Sequence, residues 1–322
     1  STNGSYDTVD RFMFAKLNLG AFTQSQSTDV PTGQGFANSL KMDCTTADAS
    51  PAAGDYLQFT QHVEAQNLQY LKFGTSNATS LTLSFWVKSN KTGTYCFDIR
   101  SLDSARLISK TYTIDSADTW EKKTITYAGD TVGTINNDNG IGLQCSFWLG
   151  AGSNFTSGTL QTSWGSYVPA NRAVGQVNLA DNTANEWYIT GVQLEAGQTA
   201  SEFEFLPHDV NLQRCERYCQ LVASGDSRLI TNGAVYSTSQ AYGAYMFRQR
   251  MRASPSFTQT TGTGYYRFRN RASDEHVSSF AFGNISDYSC RVNATSSGMT
   301  VGDAGWFTAN NSSSKILAEA EL

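Results

Sequence analysis

The segment Leu81–Ser89 places its apolar side chains on one face of an extended chain and its polar side chains, with Trp86, on the other. Similar alternation recurs at 56–63, 94–100, 107–114, 120–127, 142–149 and 186–194. Turn-forming Gly, Asn, Ser and Asp residues separate these segments, and no helical period lies between them. Seven or more short strands at this spacing predict an antiparallel two-sheet sandwich, with a jelly roll as the preferred form.

Composition agrees with sheet and excludes several classes of protein. Aromatic residues make up 12% of the 322 residues and charged residues 16%, against roughly 25% charged in average domains. Helical rods need more Ala, Glu, Lys and Leu, and disordered chains lack so many aromatics. The net charge of −5 argues against nucleic acid as a partner. No apolar run is long enough for membrane insertion.

The hydrophobic period changes after Pro207. A 3-4-3 spacing predicts one helix over Asp209–Ala223, which is too short to be stable alone. It must pack against the sandwich, the next domain or copies of itself. The last option makes the following residues an oligomer interface: Leu212, Cys215, Tyr218, Cys219 and Val222. The predicted domains are a sandwich at 1–206, a linker helix at 207–224 and a smaller β domain at 225–322.

The six cysteines are too sparse for a disulfide scaffold, and no Cys-x-x-Cys pair occurs. Buried free thiols, in a protein made in a reducing cytosol, are the expected state. A zinc site built from Cys215, Cys219 and His208 is the alternative.

An ordered set of motifs covers most of the chain. Thr82–Lys88 is followed by Thr119–Lys122, then Ile189–Gly197, then Ser201–Glu204, and finally Cys215–Gln220. This order resembles tailed-bacteriophage tail fibres and receptor-binding virion proteins. The resemblance implies a carbohydrate-binding-module-like jelly roll, a short helix and a C-terminal β domain. Cys219 departs from the pattern, where a second aromatic is more usual. No virion-anchoring region is evident, and the start at Ser1 indicates processing or a longer parent chain.

Sugars are held by aromatic faces together with amide and charged groups. The turn-rich segment 161–172 offers Trp164, Tyr167, Asn171 and Arg172 as ligand contacts, and Trp86 is a fifth candidate. The alternative, favoured by the cost of exposing such aromatics, is a loop pinned onto the sandwich. Trp120 and Trp187 begin strands and are predicted to be core residues.

Two further charged sets have a functional and a structural interpretation. Arginines at alternate positions form two stripes: Arg248, Arg250, Arg252, Arg267, Arg269 and Arg271. They predict either an anion-binding face or, preferentially, solvated or ion-paired strands. The resemblance also allows a structural calcium ion at Asp7, Asp10 and Glu195, if the first and last strands of the sandwich pair. No other metal or cofactor is predicted.

No catalytic motif is present, so we expect a protein that is not an enzyme and has no catalytic residues. The resemblance implies a homotrimeric fibre on the virion exterior, made in the host cytoplasm. It would contact other virion proteins and bind a host surface polysaccharide. A capsid-decorating head fibre is one alternative. A secreted carbohydrate-active enzyme, or its accessory glycan-binding module, is the other.

Overall fold

The computed structural model describes residues 5–9, 11–271 and 274–322. Its contacts divide the chain into a first unit, residues 1–205 with Leu322, and a second unit, residues 206–321. Both units are built from antiparallel β-sheets, which confirms the predicted all-β class, with the sandwich followed by a short helix and a smaller β domain. Within the described ranges, no helix is long and apolar enough to cross a bilayer.

The first unit is a sandwich of two sheets. Its strands are β1 (Ser5–Val9), β2 (Phe12–Leu17), β3 (Ala21–Ser27), β4 (Ser39–Thr46), β5 (Tyr56–Glu64), β6 (Leu81–Ser89), β7 (Gly93–Ser101), β8 (Arg106–Ile114), β9 (Glu121–Tyr127), β10 (Ile141–Ala151), β11 (Gly165–Ser166) and β12 (Glu186–Ala196). We call the sheet β1-β2-β5-β10-β7-β8-β11 the back sheet and the sheet β3-β4-β12-β6-β9 the front sheet.

The core of this unit lies between the two sheets. The apolar face predicted for β6 is buried to at least 98%, as expected from its alternation. Phe85 of the front sheet meets Phe147 of the back sheet edge to face, with ring centroids 5.1 Å apart. Trp187 on β12 is fully buried beside Phe147 and is a core residue, as predicted.

A third layer lies on the outer side of the back sheet. It is formed by residues 152–178, here called the covering segment, which contain α1 (Ser153–Thr156) and a 3₁₀ turn at Pro169–Asn171. Trp148 and Cys96 point outward from the back sheet and are fully buried beneath it, together with Ala173 of the segment. Two more 3₁₀ turns, Ala65–Leu71 and Leu179–Asp181, connect strands. The covering segment therefore buries part of the outer face of the back sheet, around Cys96 and Trp148.

The second unit has its own core and two sheets. Its elements are α2 (His208–Glu216), β13 (Cys219–Ser224), β14 (Arg228–Ser237), β15 (Gln240–Met246), β16 (Ser256–Gln259), β17 (Tyr266–Asn270), β18 (Asp274–Val277), β19 (Ala281–Gly283), β20 (Ser289–Thr295), β21 (Ala304–Ala309) and β22 (Lys315–Glu319). We call β18-β17-β21-β14-β15-β20-β19 the curled sheet, since only three residues link its two outermost strands. The sheet β13-β22-β16 packs its apolar side chains into the same core, around Phe307.

The predicted helix over Asp209–Ala223 is wrong in its second half. Helix α2 ends at Glu216, and Cys219–Ser224 forms β13, paired with β22. Tyr218 and Val222 are buried inside the second unit, so they are unavailable to another subunit. Of the predicted interface, Leu212 is exposed on α2, whereas Cys215 and Cys219 are half-buried at the end of the helix and the start of β13. No helical seam joins the five residues.

Candidate functional site

The outer face of the front sheet, here called the front face, carries Trp86. Residues of β6 alternate, so Ser84, Trp86 and Lys88 point away from the core that Phe85 and Val87 enter. The register places Trp86 between Thr190 of β12 and Lys122 of β9. Trp86 is half-buried, so part of its indole remains accessible on the outer face of the sheet.

A bulge in β12 shapes one wall beside Trp86. The pairing of β12 with β6 shifts between Thr190 and Gln193, and Gly191 there has φ +61°. A Cβ on Gly191 would stand 2.5 Å from Cζ of Phe36. Glycine is needed on both counts, since its φ is left-handed and the Phe36 ring lies against its backbone.

Three phenylalanine rings form a cluster over the front face. Phe36, from the β3–β4 connection, packs against Phe203 and Phe205, which follow β12, with ring centroids 4.9–5.3 Å apart. Phe205 is 57% exposed. The cluster and Trp86 enclose a pocket of about 260 Å³, here called the Trp86 pocket. Its lining residues are Gln34, Phe36, Ser84, Phe85, Trp86, Lys122, Gly191, Glu202, Phe203 and Phe205.

A charged and aromatic row lies next to this pocket on the same face. Lys88 lies over the ring of Tyr188 at 4.4 Å and forms an ion pair with Asp29. The indole Nε1 of Trp120 donates to Asp29 Oδ1 over 2.8 Å. Hydrogen bonds from Lys88 and then Trp120 lower the pKa of Asp29 below its ordinary value. Trp120, predicted to be core, is instead half-buried on this face.

The hydroxyl of Tyr188 is also held in this row by a hydrogen bond. It donates to Glu186 Oε2 over 2.6 Å, and Glu186 also forms an ion pair with Lys41 at 2.5 Å. Burial, and then the hydrogen bond to Glu186, raise the pKa of Tyr188 to about 12. The side chains of this row are therefore held by hydrogen bonds and ion pairs to one another, whereas the Trp86 pocket beside it has room for a ligand.

The Trp86 pocket combines aromatic surface with donors and acceptors of both charge signs. An indole and phenyl rings cover apolar surface, while Lys122 donates, Glu202 accepts and Gln34 does both. Such a set suits a flat ring with one apolar face and several hydroxyls. Among its described lining residues Glu202 is the one carboxylate. Glycoside hydrolysis generally needs two carboxylates about 5–10 Å apart.

The predicted ligand loop belongs to the covering segment and is pinned onto the sandwich. Trp164 donates from Nε1 to the Ala128 carbonyl over 2.7 Å and meets Phe73 edge to face. Asn171 accepts through Oδ1 from the Thr159 amide at 3.0 Å. The indole N–H of Trp164 and the amide oxygen of Asn171 therefore have hydrogen-bond partners within the chain. This agrees with the alternative interpretation from the sequence, a loop pinned onto the sandwich.

Arg172 is a structural residue, and its predicted ligand contact is wrong. It is 5% exposed, and its Nε lies 2.6 Å from Asp98 Oδ2, with a second bond to Oδ1 at 3.3 Å. Burial alone would lower the pKa of Arg172, but the charge and hydrogen bonds of Asp98 outweigh burial and raise it. Tyr167 lies half-buried with the Arg100 guanidinium 4.1 Å from its ring centroid. The loop therefore closes the back sheet and does not form a binding surface with Trp86.

Four of the six arginines in the two stripes form described ion pairs within the second unit. Arg248, Arg250 and Arg252 lie between β15 and β16 and not on a strand, so their side chains share no strand face. They bind, respectively, Glu216 at 2.7 Å, Asp287 at 2.7 Å and the Ala320 carbonyl at 2.8 Å. Arg267 and Arg269 do share a face of β17, where both pair with Asp274, and Arg271 follows the strand.

The strands proposed to hold calcium do not pair. β1 lies at the edge of the back sheet, whereas β12 with Glu195 lies inside the front sheet, so the arrangement expected for the ion is wrong. Glu195 accepts hydrogen bonds from Ser201 instead. Asp10 and the side chain of Asp7 lie outside the described residues. Nor does the described part of the chain bring together three His, Cys, Asp or Glu side chains able to hold a metal, at the Cys215–Cys219 position or elsewhere.

The sequence named Trp86 as a candidate ligand contact, which stays a prediction, but it did not name the residues that surround Trp86 on the front face. Tyr188 shares a strand with Trp187, and the same alternation that buries Trp187 places Tyr188 on the front face, so this residue was within reach of the sequence. Phe36, Phe203 and Phe205 come from irregular segments 160 or more residues apart along the chain. Only the fold brings those segments together.

No protein-family model matches this chain, and no curated protein matches it. Among solved structures it is similar to the enzymatically active domain of bacteriophage CBA120 tailspike protein 4, with 16% identity, 61% of this chain and 21% of that chain covered, and a TM-score of 0.34. It is also similar to the family 11 carbohydrate-binding module of a Clostridium thermocellum cellulosomal cellulase, with 12% identity, 63% and 100% covered, and a TM-score of 0.31. The assignment of the first unit as a β-sandwich rests on its two observed sheets and not on these similarities.

Proposed function

We propose that this chain is a glycan-binding structural protein of a tailed-bacteriophage virion, a tail fibre or receptor-binding protein. Its motif order resembles that family, and its front face carries a pocket of suitable chemistry. The chain would lie on the virion exterior, among other virion proteins, after synthesis in the host cytoplasm. Its ligand would be a host surface polysaccharide held at the Trp86 pocket.

The Trp86 pocket is the single observation that carries this proposal. A pyranose ring presents axial C–H groups on one face and hydroxyls around its edge, so it needs an aromatic wall and polar rim groups together. Trp86 and the exposed Phe205 supply the wall, and Lys122 and Glu202 supply the rim. Multiple copies in one virion would raise avidity without further contacts.

We also propose that the protein binds without cleaving. One lining carboxylate, Glu202, does not make the acid and base pair of a glycosidase. The capsid-decorating head fibre would use the same pocket on a different virion component. An accessory module of a secreted enzyme would bind glycan in the same way, and only its context would differ.

A glycan array with matched variants tests the binding site. We expect the full chain to bind particular bacterial glycans, and Trp86→Ala and Phe205→Ala to weaken that binding at least tenfold. Phe205→Ala removes a mostly exposed ring, so it should leave folding unchanged. Tyr70→Ala is the matched control, because Tyr70 is 58% exposed and lies outside the pocket; its binding should equal that of the wild type.

Two outcomes would overturn the proposal. If both pocket variants bind as strongly as Tyr70→Ala, the pocket is not the site. If the wild type releases reducing ends steadily from a bound polysaccharide, the chain is an enzyme and not a binding protein alone.

A further inference from the structure

The outer face of the curled sheet contains a depression in the second unit. A row of residues crosses four of its strands, where Trp306 stands opposite Asn232 and Ala244 stands opposite Arg291. Because Gly233 pairs with Gly243, the next step of the register brings Asn232 beside Ala244. Ala244 is the small member of the row, so a gap of about 440 Å³ opens over it, between Asn232 and Arg291. We call this gap the Arg291 depression.

Arg291 is held in place on one side of the depression. Its guanidinium carbon lies 4.3 Å from the ring centroid of Tyr242, a diagonal neighbour on the adjacent strand. Tyr242 also stacks on Tyr236, with ring centroids 4.8 Å apart. Gly283 stands opposite Arg291, and a Cβ there would lie 3.0 Å from its Nη2. The Tyr242 ring therefore orients the guanidinium before any ligand arrives, and Gly283 leaves room for it.

The charge of Arg291 is not balanced by the protein. Within residues 5–9, 11–271 and 274–322, Arg291 forms no ion pair, and its Nε is buried without a hydrogen-bond partner. The other side chains around the depression are neutral, and Asn232, Asn284 and Ser289 offer hydrogen bonds. By contrast, Arg267 and Arg269 on the same sheet both have Asp274. A fixed, unpaired guanidinium favours a planar anion that accepts two hydrogen bonds.

We propose that the Arg291 depression binds the carboxylate of an acidic sugar. The carboxylate would accept from Arg291, and the ring hydroxyls would bond Asn232, Asn284 and Ser289. Trp306, 43% exposed beside Asn232, supplies an aromatic surface for the apolar face of the same or the next ring. A free inorganic anion would use the guanidinium but not this aromatic and amide surround.

This site is separate from the Trp86 pocket, which lies in the first unit. The inference goes beyond the proposed function, because either site can fail while the other stands. It adds a ligand class, glycans that carry a carboxylate, which the Trp86 pocket does not specify.

Calorimetric titration of the full chain tests the inference, with an oligogalacturonate and sialyllactose as acidic probes. Their neutral counterparts are a galacto-oligosaccharide and lactose. We expect at least one acidic probe to bind at least tenfold more tightly than its neutral counterpart, with affinity falling as NaCl rises. Arg291→Gln should reduce that affinity at least tenfold. Arg269→Gln, which removes an equal charge from the same face, should change it less than twofold.

A second variant fills the gap and keeps the arginine. Ala244 is exposed on the sheet, so Ala244→Leu should fold normally and lose the acidic probe. It also decides the matter if Arg291→Gln does not fold. Trp86→Ala should bind the acidic probe like the wild type, which separates the two sites.

Three results would overturn the inference. In the first, neither acidic probe binds, or the neutral counterparts bind equally well. In the second, Ala244→Leu retains the wild-type affinity. In the third, Ala244→Leu or Arg291→Gln lowers the molar mass of the protein in solution, because this face would then contact another copy of the chain and not a sugar.

Discussion

Burial controls the reactivity of single thiols in this chain. Four of the six cysteines are buried: Cys44, Cys96, Cys145 and Cys290. Burial raises the pKa of Cys96 and of Cys145 to about 12, and that of Cys290 to about 11. Since the thiolate is the reactive form, these groups stay protonated and inert near neutral pH.

We therefore expect Ellman's reagent at pH 8 to modify at most two thiols rapidly in the native protein, Cys215 and Cys219, and all six after denaturation. The variant Cys215→Ser/Cys219→Ser should be unreactive while folded. Rapid modification of four or more native thiols would contradict the burial described here.

The lowered pKa of Asp29 leads us to expect a pH-dependent change on the front face. Its pKa is lowered by Lys88 and Trp120, so its carboxylate favours the folded state above the ordinary aspartate pKa. That contribution is lost as the pH falls through the lowered value. We expect Trp120 fluorescence to change in acid below the usual aspartate range, because protonation weakens the Asp29 acceptor. In the Asp29→Asn variant this fluorescence change should disappear. If the variant shows the same change at the same pH, a group other than Asp29 causes it.

Single residues also show where sequence reasoning stops. The sequence offers both Trp86 and Trp164 as ligand contacts, because Trp86 lies on the strand face opposite Leu83 and Phe85 and Trp164 lies in a turn-rich segment. The structure separates them by partners that lie far along the chain: Trp164 has the Ala128 carbonyl and Phe73, whereas Trp86 faces a pocket. Alternation decides which face a strand residue takes. It does not say what covers that face.

At the level of elements, the Asp98–Arg172 pair fastens the covering segment to the back sheet. Both side chains are almost fully buried, and removing one partner of such a pair leaves an uncompensated charge. We expect Asp98→Asn to lower the free energy of unfolding by about 3–5 kcal/mol in urea denaturation. Asp115→Asn, from an ion pair whose aspartate is 69% exposed, is the control and should cost about 1 kcal/mol or less. Equal losses for the two would mean that Arg172 does not hold the segment.

The boundary between α2 and β13 shows why the spacing of apolar residues alone does not decide between a helix and a strand. A 3-4-3 spacing of apolar residues suits a helix, and Leu212, Cys215, Cys219 and Val222 have it. In β13, however, Gln220 and Val222 face inward and Leu221 outward, which is the period of a strand. Pairing with β22, almost 100 residues later, decides between the two patterns. The regular strands of the first unit carry no such conflict, and their prediction is confirmed.

At the level of the whole molecule, we expect a homotrimer. The expectation comes from the resemblance to phage fibres. Helix α2 has nine residues, none of them buried, and Leu212 is 48% exposed on it. So short a helix gains stability from further packing. Light scattering of the full chain should give three times the 35.1 kDa of one chain, and Leu212→Glu should lower that mass while leaving the circular dichroism of the sheets unchanged. A 35.1 kDa species at micromolar concentration would refute the trimer.

The curled sheet has short edge strands. Its outermost strands, Asp274–Val277 and Ala281–Gly283, contain four and three residues, and a three-residue connection joins them. Intermolecular β-pairing needs a long free row of backbone amides and carbonyls. Within the described residues, an incoming strand would find at most four residues to pair with at either edge, so the curled sheet offers little template for edge-to-edge aggregation, even at high local concentration.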